Sequence, residues 1–493
     1  MVPVVSIKPL LAVLASMAVV PFLIYCRKPN LREAWTFAAA IIKFFIVVSM
    51  APTILQGIPI EYQVAEVLPG VGIRFYVDTF GLLFALVSSF LWIITSVYSI
   101  GYMRGLNEHS QTRYFCYFAL SLSATVGVAF SANFFTLYLF YEMLSFATYP
   151  LVAHHQDVEA RSSGRRYLTY IVGGSIGLLL PAMLYIYDKT GTLEFARQGI
   201  LSGHATPGAV KILLLMCIFG FAKAAVMPFH AWLPAAMVAP TPVSALLHAV
   251  AVVKVGAFSI LRVITGVFGT DLLNSLHLDT MLCLIASFTI IAASLLALNQ
   301  DGLKLRLAYS TIGQLSYIVL GAALLTPQGL IGGMLHIAMH AFGKITLFFC
   351  AGAIFVATGV RNISEMDGIG KRMPVTLACF FIGSLSVIGL PPCGGFISKW
   401  YLVLGTLESE NLLMLFVLLS SSLLNAAYFL PIVYRGYFGP PNPSKYGDCV
   451  KEAPLWCIVP LVLTAAGSVV LFFLPQPFLK LAQMTVKHIF MGP

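Results

Sequence analysis

Long apolar segments recur along almost the whole chain, and they restrict it to one class of fold. Each is close to the roughly 20 residues that a helix needs to cross a bilayer, and short polar or Pro/Gly-containing connections separate them. Of the 493 residues, 59% are hydrophobic and 10% are charged, a balance that water-soluble domains do not reach. We therefore expect an all-α polytopic membrane protein with very little soluble domain.

Hydropathy and Pro/Gly punctuation predict about 14 transmembrane helices. Their approximate positions are 4–25, 34–55, 78–100, 114–131, 134–153, 167–187, 210–238, 244–264, 277–298, 307–325, 330–357, 374–400, 411–434 and 455–475. Lys and Arg concentrate in alternate loops, for example at Arg161, Arg165 and Arg166. The positive-inside rule places these loops in the cytoplasm and both termini outside a cell membrane.

The formal charge of +10 would suggest nucleic-acid binding in a soluble chain, but no basic block supports it. The nine cysteines are scattered singly and no pair has CxxC spacing, which argues against zinc-thiolate sites, iron–sulfur clusters and a disulfide framework. We expect a lipid bilayer as the surroundings, no nucleic-acid partner and no cofactor.

Ionisable residues inside the predicted spans are the candidate functional residues. A charge at the centre of a span costs roughly 2.5–3.5 kcal/mol, so each needs a partner, a route to the surface or a function. Lys43 and Lys211 stand without a motif, and we interpret both as structural. The residues that lie in polar motifs are Glu142, Lys223, His248, Lys254, His336, His340, Lys344 and Lys399.

Two of these lysines lie beside prolines that interrupt an apolar helix. Lys223 precedes Pro228 in FGFAKAAVMPFHAWLP (219–234), and Lys399 follows Pro391 and Pro392 in SLSVIGLPPCGGFISKWY (384–401). Proline removes a backbone donor, which a membrane tolerates mainly where the helix lines a cavity or a neighbour repairs it. Such broken helices are typical of ion sites in transporters.

The two broken helices indicate an internal repeat. Each is the fourth member of a group of five spans, and an odd number of spans inverts the second copy relative to the first. We therefore predict a three-helix segment (1–110), a first five-helix repeat with broken helix 7 (111–270), an inverted second repeat with broken helix 12 (271–437), and a last helix with a tail (438–493).

Histidines accompany the lysines on two further spans. His336, His340 and Lys344 follow each other at i, i+4 and i+8 and so lie along one stripe of a helix. Two imidazoles in this spacing can chelate zinc, but no carboxylate or thiolate lies nearby in sequence and Lys344 would repel a cation. We interpret the stripe as a proton relay, against structural histidines as the main alternative, and predict no metal site. His248 and Lys254 share a helix but face different neighbours.

The strings FAKAAVMPFHAWLP, APTPVSALLHAVAVVKVGAF, DGLKLRLAYSTIGQLSYIVLG and GLPPCGGFISKWY resemble the antiporter-like subunits shared by respiratory complex I, Mrp-type Na+/H+ antiporters and energy-converting membrane-bound hydrogenases. The resemblance implies 14 core helices with two inverted five-helix units. It also implies that Glu142 pairs with Lys223, that His248, Lys254 and the stripe continue a relay, and that Lys399 is the exit-side residue.

The function that we predict is proton translocation through this buried Glu/Lys/His relay, within a complex of other membrane subunits. The alternatives are a Na+/H+ antiporter subunit of an Mrp-type complex without redox chemistry, and an ion-pumping subunit of a complex I-like quinone reductase. A quinone-binding redox subunit, a self-sufficient antiporter and a structural scaffold fit the residues less well. Because Lys and His dominate the buried groups while Na+ prefers oxygen ligands, protons are favoured over Na+ for this chain.

Overall fold

The protein is a helical bundle with one small sheet at one end. The computed structural model describes residues 2–26, 28–440 and 451–491; residues 441–450, in the predicted last segment, lie outside this range. The longer helices are Lys8–Met17, Val19–Tyr25, Pro29–Val48, Thr79–Gly105, Gln111–Ala129, Phe134–Val152, Val158–Gly174, Leu180–Thr190, Pro207–Gly220, Val252–Val263, Leu278–Leu298, Leu303–Ala323, Pro327–Thr358, Pro374–Ile388, Gly394–Glu408, Leu412–Phe438, Leu455–Phe473 and Gln476–Met491.

Within the described part of the chain, nine helical segments are long and apolar enough to cross a membrane. They are Lys8–Tyr25, Pro29–Leu55, Thr79–Gly105, Val158–Thr190, Thr241–Phe268, Leu278–Leu298, Pro327–Thr358, Leu412–Phe438 and Leu455–Phe473. Two shorter apolar helices, Pro207–Gly220 and Pro374–Ile388, precede the predicted proline breaks. The protein is therefore a multi-pass membrane protein.

The core of the bundle surrounds the helix Pro327–Thr358. Its 32 residues reach about 48 Å at 1.5 Å per residue, and its side chains are buried from Gly329 to Ile354. Outer helices present large apolar side chains instead, such as Phe416 (67% exposed) and Leu423 (73% exposed). Polar groups inside and apolar groups outside are the arrangement that a lipid surrounding favours.

The sheet is the main departure from the all-α prediction. Val4–Val5 pairs in parallel with Ile60–Leu68, which pairs antiparallel with Val71–Val77 in the register Ile60↔Val77. The turn between the two longer strands contains Gly70, whose φ of +73° suits glycine. Hydropathy alone does not predict these strands, because residues 60–77 are too polar for a membrane span and carry no helical pattern that would distinguish them from a loop.

Both termini lie at the end of the bundle that carries the sheet. Val4 is part of the sheet, and the helix Gln476–Met491, which we predicted only as a tail, approaches it through Thr485, whose hydroxyl lies 2.6 Å from that of Thr79. Arg197 Nε also donates to the Ile489 carbonyl oxygen (3.1 Å). Termini at one end agree with an even number of crossings; which end faces the cytoplasm stays a prediction.

Candidate functional site

Lys223 lies in the break that follows the helix Pro207–Gly220. It occupies a single 3₁₀ turn, Ala222–Ala224, and is completely buried. Its Nζ donates to the Tyr141 carbonyl oxygen and to Ser145 Oγ, both at 2.6 Å, and lies 3.2 Å from the centroid of the Tyr141 ring. Neutral oxygens and an aromatic face thus hold this ammonium group.

Glu142 lies on the helix Phe134–Val152, between Tyr141 and Ser145 in sequence. Both of its carboxylate oxygens are buried, and neither makes a hydrogen bond to any residue in the described part of the chain. It forms no ion pair within 4.0 Å of any described lysine or arginine, although its charge acts on Lys223. The predicted Glu142–Lys223 pair is therefore close in space but open in this conformation.

Neighbouring residues repair the broken backbone around Lys223. The indole Nε1 of Trp232 donates to the Ala222 carbonyl oxygen (2.9 Å), and Thr289 Oγ1 accepts from the Met227 amide (3.2 Å). Gly256 packs directly against the turn, since a Cβ there would lie 2.1 Å from the Ala224 nitrogen. Pro228 lies within this break, as the sequence predicts.

His248 and Lys254 lie on the next segment, Thr241–Phe268, and both are completely buried. His248 belongs to a π-helical turn, Leu247–Ala251; neither of its ring nitrogens has a partner, and its ring lies 6.0 Å from that of Trp232. Lys254 Nζ donates to the Ala249 carbonyl oxygen within the same turn. Turns of this kind are frequent at functional sites.

The three residues of the predicted stripe lie buried along Pro327–Thr358. His336 Nδ1 lies 2.9 Å from Ser398 Oγ, and Nε2 lies 3.0 Å from Gln314 Oε1. The rings of His336 and His340 stack at 5.4 Å. Within residues 2–26, 28–440 and 451–491, the His340 ring and the Lys344 ammonium have no hydrogen-bond partner.

Lys399 lies in the helix Gly394–Glu408, after the break that contains Pro391 and Pro392. Its Nζ donates to the Ile388 carbonyl oxygen (2.9 Å) and to Ser422 Oγ (3.0 Å), and lies 4.7 Å from the Tyr317 ring centroid. Lys399 therefore lies against a carbonyl at the end of the helix Pro374–Ile388 and against a tyrosine ring. Lys223 shares the contact with a tyrosine ring, but its carbonyl partner, Tyr141, lies inside a helix.

The second broken helix borders the stripe. Ser398, which precedes Lys399 on the helix Gly394–Glu408, lies 2.9 Å from His336 Nδ1. Lys304 lies close enough to His248 for its charge to influence that imidazole, and its Nζ donates to the Ala239 carbonyl oxygen (2.6 Å).

Sequence reasoning missed the neutral partners of these charges. They are Tyr141, Ser145, Gln314, Tyr317, Ser398 and Ser422. A Ser or Tyr on an apolar helix carries no distinctive signal, and only a spacing of four from Tyr141 to Ser145 hinted at a shared face. Lys211 is exposed as expected, whereas Lys43 is completely buried and bonded to Ser16 Oγ (2.9 Å) and the Leu122 carbonyl oxygen (2.5 Å).

A family model described as NADH:quinone oxidoreductase/Mrp antiporter, TM, matches residues 131–425. The NADH-quinone oxidoreductase subunit N of Desulforudis audaxviator (strain MP104C) is 34% identical over 441 residues, which are 86% of either chain. A Na(+)/H(+) antiporter subunit of Alkalihalophilus pseudofirmus is 30% identical over 490 residues; they are 93% of this chain but 59% of that longer protein.

Two solved structures share the fold over nearly the whole chain. One chain of the Mrp complex from Dietzia sp. DQ12-45-1b superposes with a TM-score of 0.88 at 22% identity, covering 98% of this chain and 97% of that one. A chain of an archaeal membrane-bound sulfane sulfur reductase gives 0.85 at 27% identity, with coverage of 98% and 96%. The resemblance inferred from the motifs is thereby confirmed: the chain belongs to the NADH:quinone oxidoreductase/Mrp antiporter membrane family, as an antiporter-like subunit of the kind that its relatives contribute to multisubunit complexes.

Proposed function

We propose that this chain moves protons across a cell membrane, as one subunit of a larger complex, through the buried groups from Lys223 to Lys399. One observation carries the proposal. The ammonium of Lys223 is bound by Tyr141 and Ser145, while the carboxylate of Glu142, between them in sequence, has no hydrogen-bond partner. Lys223 therefore has two competing sets of partners on one helix.

Exchange between the two sets would change how strongly Lys223 holds its proton. A Glu–Lys pair at 4 Å with an effective dielectric constant of 20 is worth about 4 kcal/mol. Moving one charge against 100 mV requires about 2.3 kcal/mol. The pair is therefore strong enough to couple proton binding and release to the membrane potential, and the open arrangement corresponds to the state in which Lys223 can release its proton.

From Lys223 the route runs through His248 and Lys254 to the stripe of His336, His340 and Lys344, and leaves at Lys399. Several polar atoms along it are buried without a protein partner: the His248 and His340 rings, Lys344 Nζ, and the hydroxyls of Ser244, Ser259, Ser316 and Ser386. Buried polar groups require hydrogen bonds, and water supplies them in polar interiors. Water chains between these groups would carry the proton.

We also propose the finer architecture that the sequence predicted: about 14 crossings, the segments 1–110, 111–270, 271–437 and 438–493, and two inverted five-helix units. The support is a repeated contact. Lys223 follows Tyr141 by 82 residues and lies over its ring, and Lys399 follows Tyr317 by the same interval and lies over that ring. At Glu142 the units differ, because the equivalent position is Ile318.

The test is proton transport by the native complex, purified with a gentle detergent and reconstituted in vesicles that contain a pH-sensitive dye. Lys223→Met and Glu142→Gln should each abolish coupled proton transport while native gels still show the assembled complex. Lys43→Met is the matched control: it removes another fully buried lysine, which binds Ser16 on the N-terminal helix Lys8–Met17 and the Leu122 carbonyl oxygen on the helix Gln111–Ala129, and should leave transport intact. Normal transport by an assembled Glu142→Gln complex would overturn the proposal.

A second candidate function, Na+/H+ exchange without redox chemistry, is favoured by the likeness to the Na(+)/H(+) antiporter subunit of Alkalihalophilus pseudofirmus. Mass spectrometry of the purified complex separates the two. Iron–sulfur or nickel–iron subunits would make this chain the proton-moving part of a redox complex. Only small membrane subunits, with ²²Na+ exchange in the vesicles, would instead assign it to a secondary antiporter.

A further inference from the structure

A cluster of metal-ligating side chains lies at the opposite end of the bundle from the sheet, away from the buried relay. Glu108 and His109 follow the helix Thr79–Gly105, and His154 and His155 follow Phe134–Val152. One ligand atom from each of Glu108, His109 and His154 lies within 4.8 Å of the other two. His155 Nδ1 lies 3.7 Å from Glu108 Oε2, so the fourth side chain borders the same space.

His154 is the most informative member of the cluster. Its side chain is completely buried, yet neither ring nitrogen has a hydrogen-bond partner among the residues that the structure describes. Its Nε2 lies 3.9 Å from Glu108 Oε2, and its ring centroid lies 5.0 Å from that of His109. A buried imidazole is normally hydrogen-bonded, so one that faces a carboxylate and a second imidazole without bonding to either is arranged as a ligand.

The Glu108 carboxylate supplies the negative charge that a bound cation requires. Among the described residues, Glu108 pairs with no lysine or arginine within 4.0 Å, and its closest ionic partners are His154 and His155. Arg113 lies beside the cluster, and its Nη2 donates to the His154 carbonyl oxygen (2.6 Å) rather than to a ring nitrogen or to Glu108.

We propose that Glu108, His109, His154 and His155 form a binding site for Zn²⁺. Three imidazoles and one carboxylate are a donor set that Zn²⁺ accepts in tetrahedral geometry, at about 2.0–2.2 Å per bond. Mg²⁺ and Ca²⁺ prefer oxygen ligands. Ligand atoms about 2.1 Å from one ion lie roughly 3.4 Å apart. Glu108 Oε2 lies 3.9 Å from His154 Nε2 and 3.7 Å from His155 Nδ1, so these two contacts need to close by about half an ångström or less.

The prediction that this chain has no metal site rested on ligands that lie close together in the sequence. The four ligands come from two dipeptides, Glu108-His109 and His154-His155, that lie far apart in sequence. They meet because the helices Gln111–Ala129 and Phe134–Val152 pack side by side, which returns the chain to the same end of the bundle. Neither dipeptide alone has the spacing of a known zinc motif.

Zinc at this site would also affect transport, and this part rests on the proposed function. His154 follows the helix that carries Tyr141, Glu142 and Ser145, about 18 Å from Glu142 at 1.5 Å per residue. A bound ion would tie the end of that helix to the loop that contains Glu108. Because Lys223 exchanges partners on this helix, fixing it should slow transport.

The first experiment measures binding, independently of transport. The assembled complex is stripped with a chelator, incubated with ZnCl₂, desalted and analysed for metal. The wild type should retain about one zinc more per copy of this chain than a His109→Ala/His155→Ala variant, whose changes are at exposed or half-buried positions that folding tolerates. The matched control is His204→Ala/His277→Ala, which removes two exposed histidines elsewhere and should retain zinc.

X-ray absorption of the bound zinc should show nitrogen and oxygen ligands with imidazole scattering and no sulfur. Equal zinc in wild type and the His109/His155 variant, or a sulfur ligand, would overturn the site. If zinc binds as expected but leaves transport unchanged, the regulatory part is wrong and the site stands. Loss of transport in Glu142→Gln is read separately, so failure of the proposed function does not affect the binding result.

Discussion

The ammonium group of Lys223 lies 3.2 Å from the centroid of the Tyr141 ring and donates a hydrogen bond to the carbonyl oxygen of the same residue. The helix that presents Tyr141 also presents Glu142, one position and about 100° further around. A change in the Lys223 side chain, with a small rotation of either helix, would therefore exchange an aromatic partner for a carboxylate.

Removing the aromatic ring should weaken the resting position of Lys223. A desolvated cation–π contact is worth about 2 kcal/mol, and 1.4 kcal/mol is a factor of ten in rate. Tyr141→Leu should therefore reduce proton transport by the complex at least tenfold. Tyr141→Phe keeps the ring and loses only the hydroxyl that accepts from the Lys223 amide (3.1 Å), so it should retain most of the rate. Equal losses in both variants would assign the effect to the hydroxyl instead.

Gly256→Ala should disturb the break that carries Lys223. The added Cβ would lie 2.1 Å from the Ala224 nitrogen and 2.5 Å from the Lys223 carbonyl carbon, so the turn must move. We expect a loss of about 1–3 kcal/mol in the free energy of unfolding, as for overpacked cores, together with a large loss of transport. Gly173→Ala is the control: it too lies in a helix, but its Cβ would meet nothing within 4 Å, so melting temperature and transport should be unchanged.

The two histidines of the stripe should respond differently to the same substitution. His336→Ala removes the partner of Gln314 Oε1 and one of the two partners of Ser398 Oγ, which still donates to the Gly395 carbonyl oxygen. An unsatisfied buried group costs about 1–3 kcal/mol. His340 bonds to neither side chain nor backbone, so His340→Ala should lower transport with little loss of thermal stability. Melting curves and dye assays on the same preparations check this. A large fall in stability for His340→Ala would favour the structural interpretation of that histidine.

The ion pair of Asp78 and Arg262 should stabilise the sheet end of the bundle. Asp78 caps the helix Thr79–Gly105 through Gly81 (2.7 Å) and accepts from Arg262 Nη1 (2.5 Å) and Nη2 (2.9 Å). Burial raises the pKa of Asp78, but Arg262 and these hydrogen bonds outweigh it, so the pKa lies below its usual value.

A carboxylate whose folded-state pKa is lowered stabilises the protein above its unfolded pKa, about 3.9 for Asp. The contribution is lost as the pH falls through the lower folded value. Asp78→Asn should remove about 2 kcal/mol at pH 7, and its melting temperature should then vary less with pH below 5 than that of the wild type. An unchanged melting temperature at pH 7 would contradict this role.

Features that depend on residues close together in the sequence were predictable, whereas contacts between distant segments were not. The breaks at Pro228 and at Pro391-Pro392 were predictable, because proline acts on its own helix. The strands Ile60–Leu68 and Val71–Val77 were not, because the tendency to form a strand depends on the neighbouring strands with which a segment packs. The partners of Lys223, His336 and Lys399 could not be predicted either, because a serine, glutamine or tyrosine on another helix gives no sequence signal of the residue that it contacts.

The sequence by itself determined that this chain is a helical membrane protein and that charged or titratable groups, among them Lys223, His336 and Lys399, lie within its apolar segments. Hydrophobicity is a local property, and a buried charge is conspicuous in an apolar segment. Only the tertiary structure decided how these groups are held. It left Glu142 open, placed Lys223 on a tyrosine face and joined Glu108-His109 to His154-His155. Such contacts depend on which helices pack together, and helices distant in sequence become neighbours only in the folded bundle.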